Sequence, residues 1–347
     1  MRAGERPPVV GIVGLGLIGG SLARALVERG GEVVATTRSA GARVGAAEAG
    51  VTIVDDVAAV VATADVVVLA VPLPVLEATL AEVVAAVDAL PADRPRPTVT
   101  DVGSVKAPIA GSAPALALGG AFVPGHPMAG TEHAGWGAAD RDLFVGRRWA
   151  LVVDAPVALD RWAAVARVAI GVGAEVVPVG AAEHDDAVAL VSHLPYVLAA
   201  VAAGLVADER SGLARSLAAG SFDSLTRVAG GADALGADMA TTNARPLATQ
   251  ARDVARYLDG VADQLEGGAE VAPTHRPAAV EAIFEAGHRG RRALDGRGAG
   301  EARAEAVLDA AGLLALGRRG GRVVAVEPAP AGAGSLPVTV VEPGVPS

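Results

Sequence analysis

A glycine pattern between an apolar run and a helical stretch constrains the fold more than any other feature of this sequence. The apolar run, residues 9–13, is typical of a parallel strand buried on both faces. Directly after it, Gly14, Gly16 and Gly19 match the pattern GxGxxG. The first glycine of this pattern permits a tight turn, the second lets the backbone approach a pyrophosphate, and the third allows close packing of helix on strand. The position of the pattern therefore predicts a dinucleotide-binding site.

The residues after the second predicted strand bear on the choice of cofactor. An Asp or Glu at this point usually binds the ribose 2′-hydroxyl of NAD, but the sequence reads Thr37, Arg38 and Ser39. Two hydroxyls and a guanidinium suit a 2′-phosphate better, so the sequence slightly favours NADP over NAD. Arg38 could instead stack on the adenine and accept either cofactor. Four apolar residues complete the predicted cofactor contacts: Leu17, Ile18, Val71 and Pro72.

Strand and helix signals alternate until about residue 179, and strand signals then nearly vanish. The later strands are predicted at residues 65–72, 98–102, 148–153 and 175–179, and long Ala/Leu/Val-rich helices at 184–206, 210–229, 245–265 and 278–294. We therefore predict an α/β fold: an N-terminal Rossmann-type, doubly wound, mostly parallel sheet followed by an all-α second domain. The predicted domains are a dinucleotide-binding domain (1–179), a helical substrate and dimerisation domain (180–316) and a C-terminal tail (317–347). The tail carries β-like runs at 322–326 and 337–341, whose role the sequence leaves open.

Composition narrows the classes of partner and compartment. The net charge of -10 argues against nucleic acid as a partner, which needs a basic face. The absence of cysteine excludes disulfides and thiolate metal sites, fits a reducing cytoplasm, and leaves no predicted metal site. Residues 187–207 carry no charged residue, but polar residues and Pro195 interrupt them, so we expect a buried helix and no membrane span. Helices this apolar predict a homodimer through the second domain.

Two polar residues follow predicted strands in the first domain. His126 comes just after the apolar run 121–124, and Ser104 comes just after the strand 98–102. Ligands of open α/β sheets bind beyond the carboxyl ends of the strands, and an imidazole can move protons near neutrality. The competing interpretations are structural: a loop histidine bonded to backbone, and a serine that caps the next helix. A capping serine could also present its hydroxyl to a neighbouring imidazole.

Several stretches together resemble the prephenate/arogenate dehydrogenase family of tyrosine biosynthesis. They are GLGLIGGSL from Gly14, DVGSVK from Asp101, GHPMAG from Gly125, HD at His184, SHLP from Ser192 and TRVA from Thr226. In order and spacing they cover residues from about 9 to 245. Within the family, the loop 125–130 and the turn 101–106 are the discriminating parts.

The resemblance implies oxidative decarboxylation of prephenate to 4-hydroxyphenylpyruvate, or of arogenate to tyrosine, with hydride transfer to NAD(P)+. It implies that His126 is the base that removes the hydroxyl proton, with Ser104 orienting the imidazole or sharing the hydroxyl contact. Arg227 corresponds to the family's substrate-binding arginine, and a guanidinium can bind a carboxylate through two hydrogen bonds. The other residues implied near the substrate are Thr131, Glu132, His184, Ser192, His193 and Tyr196. Positions 184, 188 and 192 would share one helix face that could turn toward the nicotinamide.

Departures from the family pattern leave the substrate side chain open. Tyr196 stands where many relatives have a second histidine, Asp223-Ser224 replaces a frequent Arg-Asp pair, and Gly236 replaces a frequent tryptophan. These positions border the region that would distinguish the keto side chain of prephenate from the amino side chain of arogenate. Arogenate dehydrogenase is therefore the alternative within the same chemistry.

Two more distant functions also fit parts of the sequence. A β-hydroxyacid dehydrogenase or imine reductase pairs a similar fold with an all-α dimerisation domain but places a catalytic lysine where the second domain begins. Lys106 is the only lysine of this chain and lies in the first domain, which argues against that reading. A scaffold that binds dinucleotide without turnover is disfavoured by the intact set of Ser104, His126 and Arg227.

Overall fold

Six parallel strands form a sheet at the centre of the N-terminal half of the chain. The computed structural model describes residues 8–131, 133–154, 156–231, 233–269, 278–295 and 301–343. The strands of this first sheet are β1 (Val10–Val13), β2 (Val33–Thr36), β3 (Thr52–Ile53), β4 (Val66–Leu69), β5 (Thr98–Asp101) and β6 (Phe122–Val123). They are ordered β3-β2-β1-β4-β5-β6, and every neighbouring pair is parallel. Because the order reverses between β1 and β4, the carboxyl ends of these two strands border the crevice in which such sheets bind ligands.

Helices cover both faces of this sheet, so successive side chains of one strand enter different cores. Ile12 packs in one core with Leu22, whereas Val13 packs in another with Leu80. The helices of this half are α1 (Leu17–Glu28), α2 (Ala40–Glu48), α3 (Val57–Thr63), α4 (Leu73–Asp88), α5 (Ala107–Ala110), α6 (Ala113–Leu118) and α7 (Leu159–Gly171). The predicted doubly wound, Rossmann-type α/β fold is thereby confirmed.

A second, mixed sheet joins the end of this half to the C-terminal part of the chain. Its strands are β7 (Gly125–Pro127), β8 (Arg148–Val152), β9 (Glu175–Val179), β10 (Ala302–Leu308), β11 (Arg322–Val326) and β12 (Leu336–Glu342). They are ordered β10-β12-β11-β9-β8-β7, with β8 and β9 parallel and the other neighbours antiparallel. The two β-like runs of the predicted tail thus form β11 and β12, which extend the sheet beyond β9.

Strand β10 lies where the sequence predicted only helices. That prediction placed residues 180–316 in a helical domain, and the sequence of β10 is rich in Ala, Glu and Arg, which are good helix formers. In the structure the whole of β10 pairs with β12, from Ala302↔Glu342 to Leu308↔Leu336. A cross-strand partner far away in the sequence therefore outweighs the local preference. Helix α15 (Ala310–Arg318) follows β10 and leads into β11.

The remaining helices form the helical part of the chain. They are α8 (Ala181–Val188), α9 (Leu194–Gly204), α10 (Gly212–Leu217), α11 (Gly220–Thr226), α12 (Asp233–Thr242), α13 (Ala244–Ala269) and α14 (Ala278–Asp295). A single π-helical turn, Ala189–His193, joins α8 to α9. Pro195 lies just beyond this turn and has no N–H to continue the α-helical hydrogen bonds. The predicted helix 184–206 is therefore one helical run with a widened turn at its centre.

This helical run, Ala181–Gly204, is long and apolar enough to cross a membrane by length and composition, with a mean hydropathy of 1.8. Only 28% of its apolar window is buried, which corrects the expectation of a buried helix. One side of the run carries the buried polar residues His184, Asp185 and His193, whereas Leu190 and Val191 are exposed. A single apolar helix is weak evidence for a membrane span, since helices that pack against other helices share this composition.

Candidate active site

The glycine turn between β1 and α1 has the geometry that a dinucleotide phosphate requires. Gly14 has a φ of 100°, and a Cβ there would lie 2.4 Å from the carbonyl oxygen of Ala70. A Cβ on Gly19 would lie 2.0 Å from the carbonyl oxygen of Gly14. By contrast, nothing lies within 4 Å of a Cβ placed on Gly16, so the backbone there is open to an approaching phosphate. Helix α1 begins at the next residue without a side-chain cap, which leaves its first N–H groups available to an anion.

A cleft of about 940 Å³ extends from this turn over the ends of β1, β2 and β4. It is lined by most of the predicted cofactor residues: Gly14, Gly16, Thr37, Arg38, Ser39, Val71 and Pro72. The other three, Leu17, Ile18 and Gly19, lie in the first turn of α1 rather than in the lining. Ser39 also caps α2, because its hydroxyl accepts a hydrogen bond from the N–H of Ala42 at 3.3 Å.

The other residues that line the cleft include Arg43, Asp55 and Trp136. The guanidinium of Arg43 donates a hydrogen bond to the carboxylate of Asp55 at 3.1 Å. Arg38 and Arg43 therefore place two guanidinium groups near the end of β2, beside the open phosphate-binding turn. This set of donors fits a nicotinamide dinucleotide.

Two histidines from distant parts of the chain meet in a hydrogen bond. His126 lies on β7 and His184 on α8, and the Nδ1 of His126 is 2.9 Å from the Nε2 of His184. The Nδ1 of His184 is in turn 2.8 Å from a carboxylate oxygen of Asp185. An ionised carboxylate only accepts hydrogen bonds, so His184 carries its proton on Nδ1 and presents a lone pair at Nε2. His126 then donates from Nδ1, and its own Nε2 is the nitrogen that can accept a proton.

The surroundings keep His126 neutral. Burial lowers its pKa well below the usual value, and the neighbouring His184, Lys106 and His193 lower the pKa further. A neutral imidazole has a lone pair at physiological pH, which a general base requires. Protonation of His126 is therefore costly in the resting protein, and the carboxylate of Asp185 is the nearby group that can offset the charge.

Asp185 also fixes the turn that follows β5. Its two carboxylate oxygens accept hydrogen bonds from the N–H of Lys106 at 2.7 Å and of Ala107 at 2.8 Å. The interpretation of Ser104 as the cap of this helix is therefore wrong, because α5 starts at Ala107 and its first N–H groups are held by Asp185 from another helix. Ser104 is half-buried in the turn. Within the described residues, the ring hydrogen bond of His126 is made by His184 rather than by Ser104.

The buried side chain of Lys106 joins the turn after β5 to the histidine strand. Its Nζ forms an ion pair with Asp101 and donates a hydrogen bond to the carbonyl oxygen of Gly125 at 2.8 Å. Asp101 accepts hydrogen bonds from the N–H groups of Gly103 at 2.8 Å and Gly125 at 3.2 Å. Burial lowers the pKa of Lys106, and Asp101 opposes that effect. The pair therefore holds Gly125, and with it His126, in a fixed position.

His193 belongs to the same cluster but faces a different partner. Its Nδ1 is 3.0 Å from the amide nitrogen of Asn243, which also donates to the carbonyl oxygen of Asp185 at 2.8 Å. The side chain of His193 is fully buried, and burial lowers its pKa to about 4, with Asp185 opposing and His184 adding to the effect. Asn243, which directly precedes α13, therefore joins the start of α13 to α8 and to the π-helical turn through two hydrogen bonds.

The other predicted substrate residues lie in more accessible positions. Ser192 is half-buried in the π-helical turn and Tyr196 is half-buried on α9. Thr131 is exposed, and its hydroxyl accepts a hydrogen bond from the N–H of His133 at 3.2 Å. Arg227 is exposed at the start of the 3₁₀ turn Arg227–Gly230, which contacts α9. Glu132 lies outside the described residues.

The sequence analysis gave no site role to Asp101, Lys106, Asp185 or Asn243. One signal was available for Lys106, because it is the only lysine in a chain whose other basic residues are arginines. Asn243 left no comparable signal, since its contacts depend on the packing of α13 against α8.

Two family models match consecutive stretches of the chain. Residues 22–178 match the nucleotide-binding domain of prephenate dehydrogenase. Residues 180–271 match the dimerization domain of prephenate dehydrogenase. His126 falls in the first stretch and His184 in the second, so the hydrogen bond between them crosses from one stretch to the other.

Individual proteins are similar over most of their length. A cyclohexadienyl dehydrogenase of Zymomonas mobilis is 33% identical over 246 residues, which cover 69% of this chain and 82% of that protein. The crystal structure of Synechocystis arogenate dehydrogenase is 30% identical with a TM-score of 0.67, covering 82% of this chain and 99% of that chain. Prephenate dehydrogenase from A. aeolicus, in complex with hydroxyphenyl propionate and NAD+, is 25% identical with a TM-score of 0.73, covering 84% and 99%.

Proposed function

The chain belongs to the prephenate dehydrogenase family, and on that premise we propose that it converts prephenate to 4-hydroxyphenylpyruvate by oxidative decarboxylation with NAD(P)+. The observation that carries the proposal is the hydrogen-bonded series Asp185, His184 and His126. It supplies a neutral imidazole with a defined tautomer in a chain that also has a dinucleotide cleft. The enzyme class is therefore an oxidoreductase that acts on a ring alcohol.

In this mechanism His126 accepts one proton and later returns it. Oxidation of the ring alcohol releases a hydride from carbon and a proton from the hydroxyl, and His126 accepts the proton at Nε2. The positive charge that develops is stabilised through His184 by the carboxylate of Asp185. A nicotinamide dinucleotide supplies the hydride acceptor when it is bound. As CO2 leaves, its bonding electrons complete the aromatic ring, and His126 returns the proton to the phenolic oxygen.

The remaining site residues would bind and orient the substrate. Arg227 is proposed to bind a substrate carboxylate through two hydrogen bonds. Ser104, half-buried in the turn after β5, would contact the substrate hydroxyl. The residues proposed around the rest of the substrate are Thr131, His184, Ser192, His193 and Tyr196.

For the cofactor we propose a preference for NADP over NAD. Thr37, Arg38 and Ser39 line the cleft without an acid at the end of β2, and Arg43 adds a second guanidinium. A 2′-phosphate would gain charge-assisted hydrogen bonds from these groups. Asp55, already paired with Arg43, would oppose the phosphate and so limits the preference to a moderate one.

We propose a cytoplasmic homodimer formed through the helical part, with a domain boundary between residues 179 and 180. Large apolar side chains are strongly exposed there in the single chain: Leu213, Leu217, Tyr257 and Phe284 are 74%, 72%, 69% and 68% exposed. A second copy would remove this apolar surface from water. The second stretch also matches a family model described as a dimerization domain.

Arogenate dehydrogenase is the second candidate. Tyr196 is half-buried on α9, where it could accept a hydrogen bond from an amino group, and many family members have histidine at this position. The similarity to the Synechocystis arogenate dehydrogenase favours the same alternative.

The deciding experiment measures formation of reduced nicotinamide by the purified protein. Prephenate and arogenate are each offered with NAD+ and with NADP+, and we expect the highest kcat/KM for prephenate with NADP+. His126→Asn should lower kcat by about 10²–10⁴-fold, the usual contribution of a positioned base, without changing cofactor affinity. Arg227→Ala should mainly raise KM for the substrate. Full activity of His126→Asn, or silence in all four mixtures with cofactor bound, would refute the mechanism.

A further inference from the structure

The C-terminal segment, defined as residues 301–343, lies beyond both stretches that match the family models, the second of which ends at residue 271. It comprises β10, α15, β11 and β12. Its buried apolar residues are Leu313, Leu316, Val323, Val326, Leu336, Val338 and Val340. They belong to the same core as Trp149 of β8 and Val176 of β9. The segment is therefore an integral part of the fold, and its contacts can influence the geometry of the site.

Helix α15 packs against the end of β9 at a distance that only glycine permits. A Cβ on Gly317 would lie 1.7 Å from the carbonyl oxygen of Pro178. Pro178 is close to the end of β9, and the site helix α8 begins at Ala181. The end of α15 therefore lies directly against the connection between the N-terminal half and the helical part.

The next residue of α15 holds the first turn of the site helix. The Nε and Nη2 of Arg318 both donate hydrogen bonds to a carboxylate oxygen of Glu183, at 2.9 Å and 2.6 Å. This contact holds the pKa of the Glu183 carboxyl below its usual range. Glu183 immediately precedes His184 in the sequence. Arg318 thus binds the residue that directly precedes His184, the histidine that contacts His126.

A second contact, made by a residue that follows β8, holds the same turn. The N–H of Ala181 donates to the carboxylate of Asp154 at 3.0 Å, and Asp154 also attracts the Arg318 guanidinium. The first turn of α8 is therefore fixed from two sides, by the residues after β8 and by α15. His184 follows this turn directly, and its Nε2 has to stay within 2.9 Å of His126 to keep the tautomer defined.

We propose that Gly317 and Arg318 are positioning residues for the histidine pair: the C-terminal segment fixes the first turn of α8 and thereby holds His184 against His126. The inference rests on the proposed function, because it takes His126 as the catalytic base. Weakening the contact would let the start of α8 shift and lengthen the hydrogen bond between the histidines. The protonated base would lose its stabilisation, so kcat would fall while cofactor affinity stayed the same.

A charge-exchange experiment tests the proposal. In Glu183→Arg, two guanidinium groups face each other, and we expect kcat to fall about fivefold, a typical size for coupling between linked sites. Adding Arg318→Glu restores the opposite charges and should return kcat to within about twofold of the unmodified protein. Neither change should alter KM for the cofactor.

The chain offers a matched control at the residue directly after the same helix. Arg319 pairs with Glu342 at 2.9 Å, and these side chains are 59% and 48% exposed, against 58% and 48% for Arg318 and Glu183. Glu342→Arg makes the same charge change within the C-terminal segment but away from α8. We expect no change in kcat or in its pH profile. An equal loss of kcat in this control, or unchanged kcat in Glu183→Arg, would overturn the proposal.

A readout without turnover separates this proposal from the proposed function. If the unmodified protein turns over neither prephenate nor arogenate, the proposed function is refuted. The positioning role of Gly317 and Arg318 is then tested by ring ¹⁵N NMR of the histidines. The signals of His126 and His184 should shift in Glu183→Arg, return in the double variant, and stay unchanged in Glu342→Arg. Gly317→Ala, which forces α15 away from Pro178, should shift the same two signals. Unshifted signals in both Glu183→Arg and Gly317→Ala would refute the positioning role of Gly317 and Arg318.

Discussion

Replacing Lys106 by methionine should strongly destabilise the protein, because it leaves the Asp101 carboxylate buried without its counter-charge. Both side chains are fully buried, and removal of one partner of such a pair usually costs about 3–5 kcal/mol. Asp101 keeps hydrogen bonds from the backbone of Gly103 and Gly125, so we expect a loss of about 3 kcal/mol, the lower end of that range. Adding Asp101→Asn removes the remaining charge and should recover at least half of the loss, about 1.5 kcal/mol.

Urea unfolding followed by circular dichroism measures these differences as changes in the unfolding free energy. A matched surface pair is the control: Arg96 and Asp88 are 61% and 64% exposed, and Asp88→Asn should change stability by less than about 1 kcal/mol. The reasoning fails if Lys106→Met costs less than Asp88→Asn. It also fails if Asp101→Asn adds to the loss instead of relieving it, since the pair would then not be ionised in the folded protein.

Three further predictions concern Asp185, the glycine turn and His193. Asp185→Asn should lower kcat by about 10²-fold, which is the lower end of the contribution of a general base, with little change in KM. A near-normal kcat in steady-state kinetics would contradict this prediction. Gly16→Ala should weaken cofactor binding without lowering the melting temperature, whereas Gly19→Ala should lower the melting temperature. The reason is that a Cβ placed on Gly19 would meet backbone atoms and a Cβ placed on Gly16 would not. Equal melting temperatures of the two variants would contradict this. His193 has a pKa of about 4 in the folded protein and about 6.5 when unfolded, so the unfolded state binds more protons between these values. The contribution of His193 to the free energy of unfolding should therefore fall by up to about 3 kcal/mol as the pH drops from about 6.5 to 4 and then level off; urea unfolding should show a shallower fall in total stability for His193→Gln, and equal slopes would refute the assignment.

Local sequence pattern was sufficient for five of the six strands of the first sheet and for its cleft, whereas the two-residue strand β3 was not predicted. The three glycines of the turn each have the environment that the pattern implies: a positive φ at Gly14, open space at Gly16 and close packing at Gly19. Strands β1 and β4 at the centre of this sheet are short apolar runs buried on both faces, which the sequence displays directly. Residues close together in sequence supply both the pattern and the structure that it specifies.

The histidine cluster depended on information that no local pattern contains. The helical period predicted one face for positions 184, 188 and 192, but the π-helical turn adds a residue, so His193 rather than Ser192 is buried beside His184. The contact between His126 and His184 depends on how α8 docks on the N-terminal half. Strand β10 was missed for a similar reason, since its partner β12 lies far along the chain.

The geometry of the site makes the proposed catalytic base a property of the docked chain rather than of either half. His126 obtains its tautomer from His184, and His184 obtains its proton position from Asp185. Asp185 is held in turn by the N–H groups of Lys106 and Ala107, which belong to the N-terminal half. Each hydrogen bond is 2.7–2.9 Å long, so a displacement of about 1 Å between the halves would break the series. The proposed proton transfer therefore depends on the docking of α8 on the N-terminal half, and any group that fixes the start of α8 contributes to it.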